Sequence, residues 1–192
     1  MSAGGADKVI VLDRDGTLVI DRGYLDDAAG LAFAAGAPEA LKALYGHGYR
    51  LVVITNQSGV GRGLFPIERV HEMNARLRTM VEEAGARLEG IYFCPHEPEA
   101  RCACRKPALG LLMQAAAELK FDPASAVVIG DKESDIEFGR LAGAKTILIT
   151  REKPMPMPRA RIRPDIVVAD LSAAAHALIG GPPRHLDAMR RC

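Results

Sequence analysis

Two aspartates two positions apart, Asp13 and Asp15, follow a short apolar run and open the segment Asp13-Arg14-Asp15-Gly16-Thr17. On an extended chain, side chains two apart point to the same side, so both carboxylates are expected to face one place. A third carboxylate, Asp131, follows another apolar run in Gly130-Asp131-Lys132, with Asp135 four residues on. Carboxylates gathered at close quarters repel one another and call for a hard cation. Oxygen ligands of this kind suit Mg²⁺, which binds through a few carboxylates and a substrate phosphate. Thr55, Asn56 and Lys106 would add donors and a positive charge for the remaining phosphoryl oxygens. The chemistry such a set can do is phosphoryl transfer, which depends on positioning and charge neutralisation. Each residue taken singly could be turn chemistry, since Asp and Asn commonly start turns and cap helices.

A second constellation uses softer ligands. Cys94-Pro95-His96, five residues, then Cys102-Ala103-Cys104 gives three sulfurs and an imidazole. That ligand set matches a closed, tetrahedral, structural Zn²⁺ site. Reduced free thiols or a disulfide are the alternatives. The loop runs directly into Arg105-Lys106-Pro107, so a metal there would also fix Lys106. A nucleic-acid-binding zinc module is the rival of another class. The charge balance of 25 Lys+Arg against 24 Asp+Glu and the 5% aromatic content speak against it. Gly59-Val60-Gly61-Arg62-Gly63 misses the dinucleotide-binding spacing, and no phosphate-binding loop ending in Gly-Lys-Ser/Thr is present.

These residues need a scaffold that brings them to one edge. Short unalternating apolar runs, Lys8–Leu12, Leu51–Ile54, Ile91–Phe93, Val127–Ile129, Thr146–Ile149 and Ile166–Val168, suit strands buried on both faces of a parallel sheet. Between them, Pro38–Tyr45, Pro66–Ala84, Leu109–Leu119 and Ser134–Leu141 carry helical spacing. The alternation predicts a doubly wound, mostly parallel α/β sheet as a single domain of 192 residues, with no room for a large cap. Ligands in such sheets bind beyond the carboxyl ends of the strands, where the candidate residues fall. Lys153–Pro158, within a Pro/Met/Arg-rich stretch over 153–164, reads as a surface loop, and 180–192 as a flexible tail. No apolar run approaches the roughly 18 residues of a membrane span, and no secretory signal pattern opens the chain. A cytoplasmic monomer with no nucleic-acid or membrane partner is expected.

Asp13-Arg14-Asp15-Gly16-Thr17-Leu18, Thr55-Asn56-Gln57, Lys106, and Gly130-Asp131-Lys132 with Asp135 occur in the order of four motifs. In that order they resemble the haloacid dehalogenase (HAD) superfamily of phosphatases. The resemblance implies that Asp13 is the nucleophile of an aspartyl-phosphate intermediate and Asp15 the general acid and base. Thr55 and Lys106 complete the catalytic set. It also implies Mg²⁺ held by Asp13, Asp131 and the backbone carbonyl of Asp15. The Cys/His loop is similar to that of one branch, which holds heptose 1,7-bisphosphate phosphatases and histidinol-phosphate phosphatases. Gln57 to Gly63 and Asp21 to Tyr24 resemble the heptose enzymes. The five-residue gap between His96 and Cys102 resembles the histidinol-phosphate enzymes and some heptose ones. A sugar bisphosphate substrate is the favoured expectation, because residues at the substrate discriminate chemistry more directly than loop length. By resemblance, Asp21, Arg22, Gly23, Tyr24, Thr55, Asn56, Gln57, Ser58, Arg105, Lys106 and Lys132 line its site.

Overall fold

Residues 8–150 and 163–180 are described by a computed structural model. The Lys153–Pro158 stretch, all but the end of the 153–164 loop, and residues 181–192 with Cys192 lie outside them. The strands are β1 (Val9–Leu12), β2 (Arg50–Asn56), β3 (Leu88–Cys94), β4 (Val127–Gly130), β5 (Lys145–Ile149) and β6 (Ile166–Val168). They form one six-stranded sheet in the order β3-β2-β1-β4-β5-β6, with every pairing parallel. The helices are α1 (Ala37–Gly46), α2 (Ser58–Gly61), α3 (Ile67–Glu83), α4 (Gly110–Leu119), α5 (Glu133–Leu141) and α6 (Leu171–Ile179). The doubly wound parallel sheet expected from the apolar runs is the observed architecture. Among the described residues, no helix is long and apolar enough to cross a membrane.

β1 is buried along its whole length, and its side chains alternate between two cores. Ile10 and Leu12 join a core with Leu41 and Leu44 of α1, Leu77 and Val81 of α3, and Ala174 of α6. Val9 and Val11 enter a second core with Leu112 and Ala115 of α4 and Phe138 of α5. Each fully buried apolar side chain contributes roughly 1.5–3 kcal/mol relative to exposure. This two-sided burial is why the central strand reads as a continuous apolar run.

Where strand order reverses, between β1 and β4, the chain ends of both strands leave a crevice. Asp13 follows β1 and Asp131 follows β4 there. Between β1 and β2 the helical elements are a single-turn 3₁₀ segment, Ala28–Gly30, and α1, so among the described residues no cap domain covers this edge.

Candidate active site

Beyond Leu12 the chain turns at once. The Arg14 carbonyl accepts from the Leu18 and Val19 amides at 2.9 and 3.0 Å. Asp13 and Asp15, on either side of the residue at which this turn begins, both border one small recess. Gly16 makes the turn possible. It has φ of +92°, and a Cβ there would overlap the Asp131 carboxylate.

The recess, about 30 Å³, is lined by Asp13, Asp15, Thr55, Asn56, Lys106, Lys132, Ser134 and Asp135. Lys106 is its buried cation. Its Nζ lies 2.7 Å from Asp13 Oδ1 and 2.7 Å from Asp135 Oδ1, and donates to the Ile54 carbonyl at 2.7 Å. Burial would discharge this ammonium, but the charges of Asp13 and Asp135 outweigh it and hold its pKa above the usual lysine value. Asn56 fixes the Lys106 backbone. Its amide nitrogen donates to the Lys106 carbonyl at 3.2 Å and its oxygen accepts from the Lys106 amide at 3.0 Å.

Asp13, Asp131 and Asp135 each offer an oxygen, all within 4.8 Å of one another. Burial pushes the Asp131 carboxyl up to about 7, and the charge of Asp13 adds to it. Its buried Oδ1 has no hydrogen-bond partner. An orphaned carboxylate oxygen among other carboxylates is what a divalent cation relieves, so the residues present fit Mg²⁺.

The recess opens into an outer pocket of about 330 Å³. Of the residues expected at the substrate, Asp21, Gly23, Tyr24, Asn56, Gln57, Ser58, Arg105 and Lys132 border it, and Gly59, Phe65 and Ser134 border it too. Thr55 and Lys106 stay in the recess. Arg22 borders neither space. Lys132 Nζ reaches across to Asp21 Oδ2 at 3.2 Å.

Sequence reasoning also missed the support of Asp15. Arg14 is 1% exposed, and its Nε and Nη2 donate to the Asp15 carboxylate at 3.0 and 3.2 Å. Gln57 Nε2 donates to Asp15 Oδ2 at 2.7 Å and to Thr55 Oγ1 at 2.9 Å. The signal for Arg14's other partner, Asn74, was an amide on the apolar rhythm of α3.

Cys94, His96, Cys102 and Cys104 converge as their spacing predicts, with ligand atoms within 4.8 Å of one another. The sulfurs stand 3.2–3.5 Å apart, and His96 Nδ1 lies 3.2 Å from Cys104 Sγ. Burial, then hydrogen bonding to Cys104, pushes the Cys94 thiol up to about 12. At Cys102 burial acts upward too, but hydrogen bonds from Cys104 and Cys94 outweigh it and bring the thiol down to about 6. Three neighbouring thiols thus resist full ionisation until a cation joins them, and the donor set suits a soft-ligand metal. The cluster is tied to the catalytic edge. The Gln57 amide donates to the Cys94 carbonyl at 2.7 Å, Gly61 to Pro95 at 2.8 Å and Gly110 to Ala103 at 2.9 Å. Arg105 Nη1 donates to the His96 carbonyl at 3.1 Å.

The HAD-hydrolase-like family profile matches residues 103–174. A D-glycero-beta-D-manno-heptose-1,7-bisphosphate 7-phosphatase of Haemophilus ducreyi is 38% identical over 171 residues, covering 85% of this chain and 94% of that one. The enzyme of the same name from Helicobacter pylori is 41% identical over 157 residues, covering 81% and 90%. A D,D-heptose 1,7-bisphosphate phosphatase of B. bronchiseptica, solved with magnesium and phosphate, superposes with a TM-score of 0.76 at 28% identity, covering 89% of this chain and 97% of that one. With kinship along most of its length and carboxylates and a buried lysine at the strand ends, the chain belongs to the HAD-like hydrolases, in the family of the heptose-1,7-bisphosphate 7-phosphatases.

Proposed function

We propose that this phosphatase removes the 7-phosphate of D-glycero-D-manno-heptose 1,7-bisphosphate, with Asp13 as nucleophile. The observation that carries the reading is the two-part site. A recess with Asp13 and Lys106 takes the reacting phosphoryl group, and the outer pocket presents Arg105 and Lys132. A bisphosphate needs a second set of cations for its second phosphate. The names of the relatives support the heptose and its beta anomer.

Lys106 holds Asp13 by one carboxylate oxygen. An Asp13 oxygen attacks phosphorus, the bond from phosphorus to the sugar oxygen breaks, and Asp15 gives its proton to that oxygen. Asp15 then takes a proton from water as the water attacks the phosphoryl-aspartate, which releases phosphate and restores Asp13. Mg²⁺, held by Asp13, Asp131 and the Asp15 carbonyl, supplies neutralisation of phosphoryl charge when bound. Cys94, His96, Cys102 and Cys104 would hold Zn²⁺, which when bound would supply a rigid clamp upstream of Arg105 and Lys106.

Asp13→Asn tests the nucleophile. The variant is expected to fold as the parent does and to release no phosphate, and mass spectrometry of quenched wild-type turnover should find the phosphoryl group on the peptide containing Asp13. Near-normal turnover by Asp13→Asn would contradict the assignment.

A further inference from the structure

Asn74 has no use in the reaction as described, and its position in α3 is costly. It occupies the buried helix face with Val70, Met73 and Leu77 and is only 9% exposed. An amide there lowers helix propensity and must be desolvated. Its oxygen meets one group, Arg14 Nη1, at 3.1 Å, across a sequence separation of 60.

We propose that Asn74 is a positioning residue for phosphoryl transfer: it fixes the Arg14 guanidinium, which in turn fixes the Asp15 carboxylate at the reacting oxygen. This rests on the phosphatase reading, in which Asp15 carries the proton. A guanidinium has five N–H donors in a rigid planar fork. Two edges of the Arg14 fork, Nε and Nη2, grip Asp15. The third, Nη1, faces α3, and Asn74 closes it. The Arg14 backbone is held by the Leu18 and Val19 amides, so the side chain is pinned at its base by the turn and at its tip by α3. Gln57 grips the same carboxylate from the β2 end. Asp15 is therefore oriented from two separate elements, and the α3 side depends on one amide oxygen. Without that oxygen, a buried Nη1 must find another acceptor, and the fork rotates with the carboxylate it holds.

Loss of orientation at a general acid has a signature that general loosening lacks. In the first half-reaction the bond from Asp13 to phosphorus forms while the phosphorus–oxygen bond breaks, and the proton of Asp15 goes to the leaving oxygen. A sugar alkoxide needs that proton. A 4-nitrophenolate leaves without it. The test uses Asn74→Leu, which keeps side-chain volume without an acceptor, and Asn74→Ala, which leaves room for water. Release of the first product is followed in single turnovers with Mg²⁺, from heptose 1,7-bisphosphate and from 4-nitrophenyl phosphate. The proposal expects the sugar ester to slow about tenfold or more in whichever variant folds, a fraction of the roughly 10² to 10⁴ that general acid catalysis supplies. The aryl ester should stay within about twofold, with KM for the sugar unchanged. Equal slowing of both esters, or no slowing of either, overturns it. Turnover of neither ester by the wild type would sink the phosphatase reading itself, a separate result.

Discussion

Lys106 is a cation that its surroundings both threaten and protect. Burial favours the neutral amine, and Asp13 and Asp135 restore the charge by contact at 2.7 Å each. The arrangement is a buried ionic triad, in which removing one partner strands the others. Lys106→Met is therefore expected to cost about 3–5 kcal/mol of unfolding free energy, read by denaturant titration. It should also lower turnover by about a hundredfold or more, since a preorganised charge at the reacting group is lost. Parental stability and turnover would show that the triad is ornamental. At this scale the sequence was informative where chemistry follows an apolar run: Asp13, Asp15 and Asp131 lie just beyond strand ends, while Lys106 comes in on the loop between β3 and α4. It was silent on pairings made by tertiary approach. Arg14, set between two aspartates, carries no sign in the sequence of the burial that the structure gives it. Asn56 reads as a phosphate donor, yet both ends of its amide hold the Lys106 backbone.

The Cys/His loop is an element docked closely on its neighbours. It leaves β3 at Cys94, passes over α2 at Gly61 and enters α4 under Gly110. A Cβ on Gly61 would sit 2.7 Å from the Glu97 amide nitrogen, and one on Gly110 would overlap the Ala103 carbonyl, so the docking leaves no slack. Cys102→Ala is expected to lose the metal by elemental analysis and to expose the 94–106 segment to protease. Turnover should fall about a hundredfold through displacement of Lys106 by about 1 Å. Full activity without metal would detach the loop from catalysis.

The sheet edge offers a second check. Asp165, just before β6, accepts from the Thr146 amide and hydroxyl at 2.7 and 2.8 Å. Burial works against ionisation there, but the Thr146 donors, with Arg140 and Lys145, outweigh it and hold the carboxyl below its usual value. A depressed folded-state pKa means the stabilisation is present above the unfolded value of about 3.9 and is lost as pH falls through the lower folded value. Wild type should thus lose stability below about pH 4 that Asp165→Asn, already weakened at neutral pH, does not lose again. Parallel acid-unfolding curves would refute this. Strand identity was legible because burial on both faces leaves continuous apolar runs. β3 is longer than its Ile91–Phe93 run: Glu89 and Gly90 interrupt the apolar pattern, and the register with β2 shifts past Glu89 before pairing resumes at Gly90. α6 escaped the periodicity reading because its Ala-rich sequence shows little contrast between faces, although Asp170 caps it by accepting from the Ala173 amide at 2.8 Å.

For the whole molecule, the six parallel strands among the described residues deliver their carboxyl ends to one edge, and Asp13 and Asp131 meet where the order turns, between β1 and β4. Among the described residues no cap covers that edge, and under the proposed function the substrate would be held at one end by the recess and at the other by Arg105, with Lys132 bordering both spaces. Recognition through the far end of the substrate follows from this shape. A monophosphate amine such as histidinol phosphate offers no anion to those cations, and each lost hydrogen bond to a charged group is worth about 1.5–3 kcal/mol. The most direct measurement is ³¹P NMR of turnover with Mg²⁺, comparing heptose 1,7-bisphosphate with histidinol phosphate. The account predicts loss of the 7-phosphate resonance with the 1-phosphate retained, abolition by chelator, and a preference of about a hundredfold or more over histidinol phosphate. Preference for histidinol phosphate, or release of the 1-phosphate first, would contradict it.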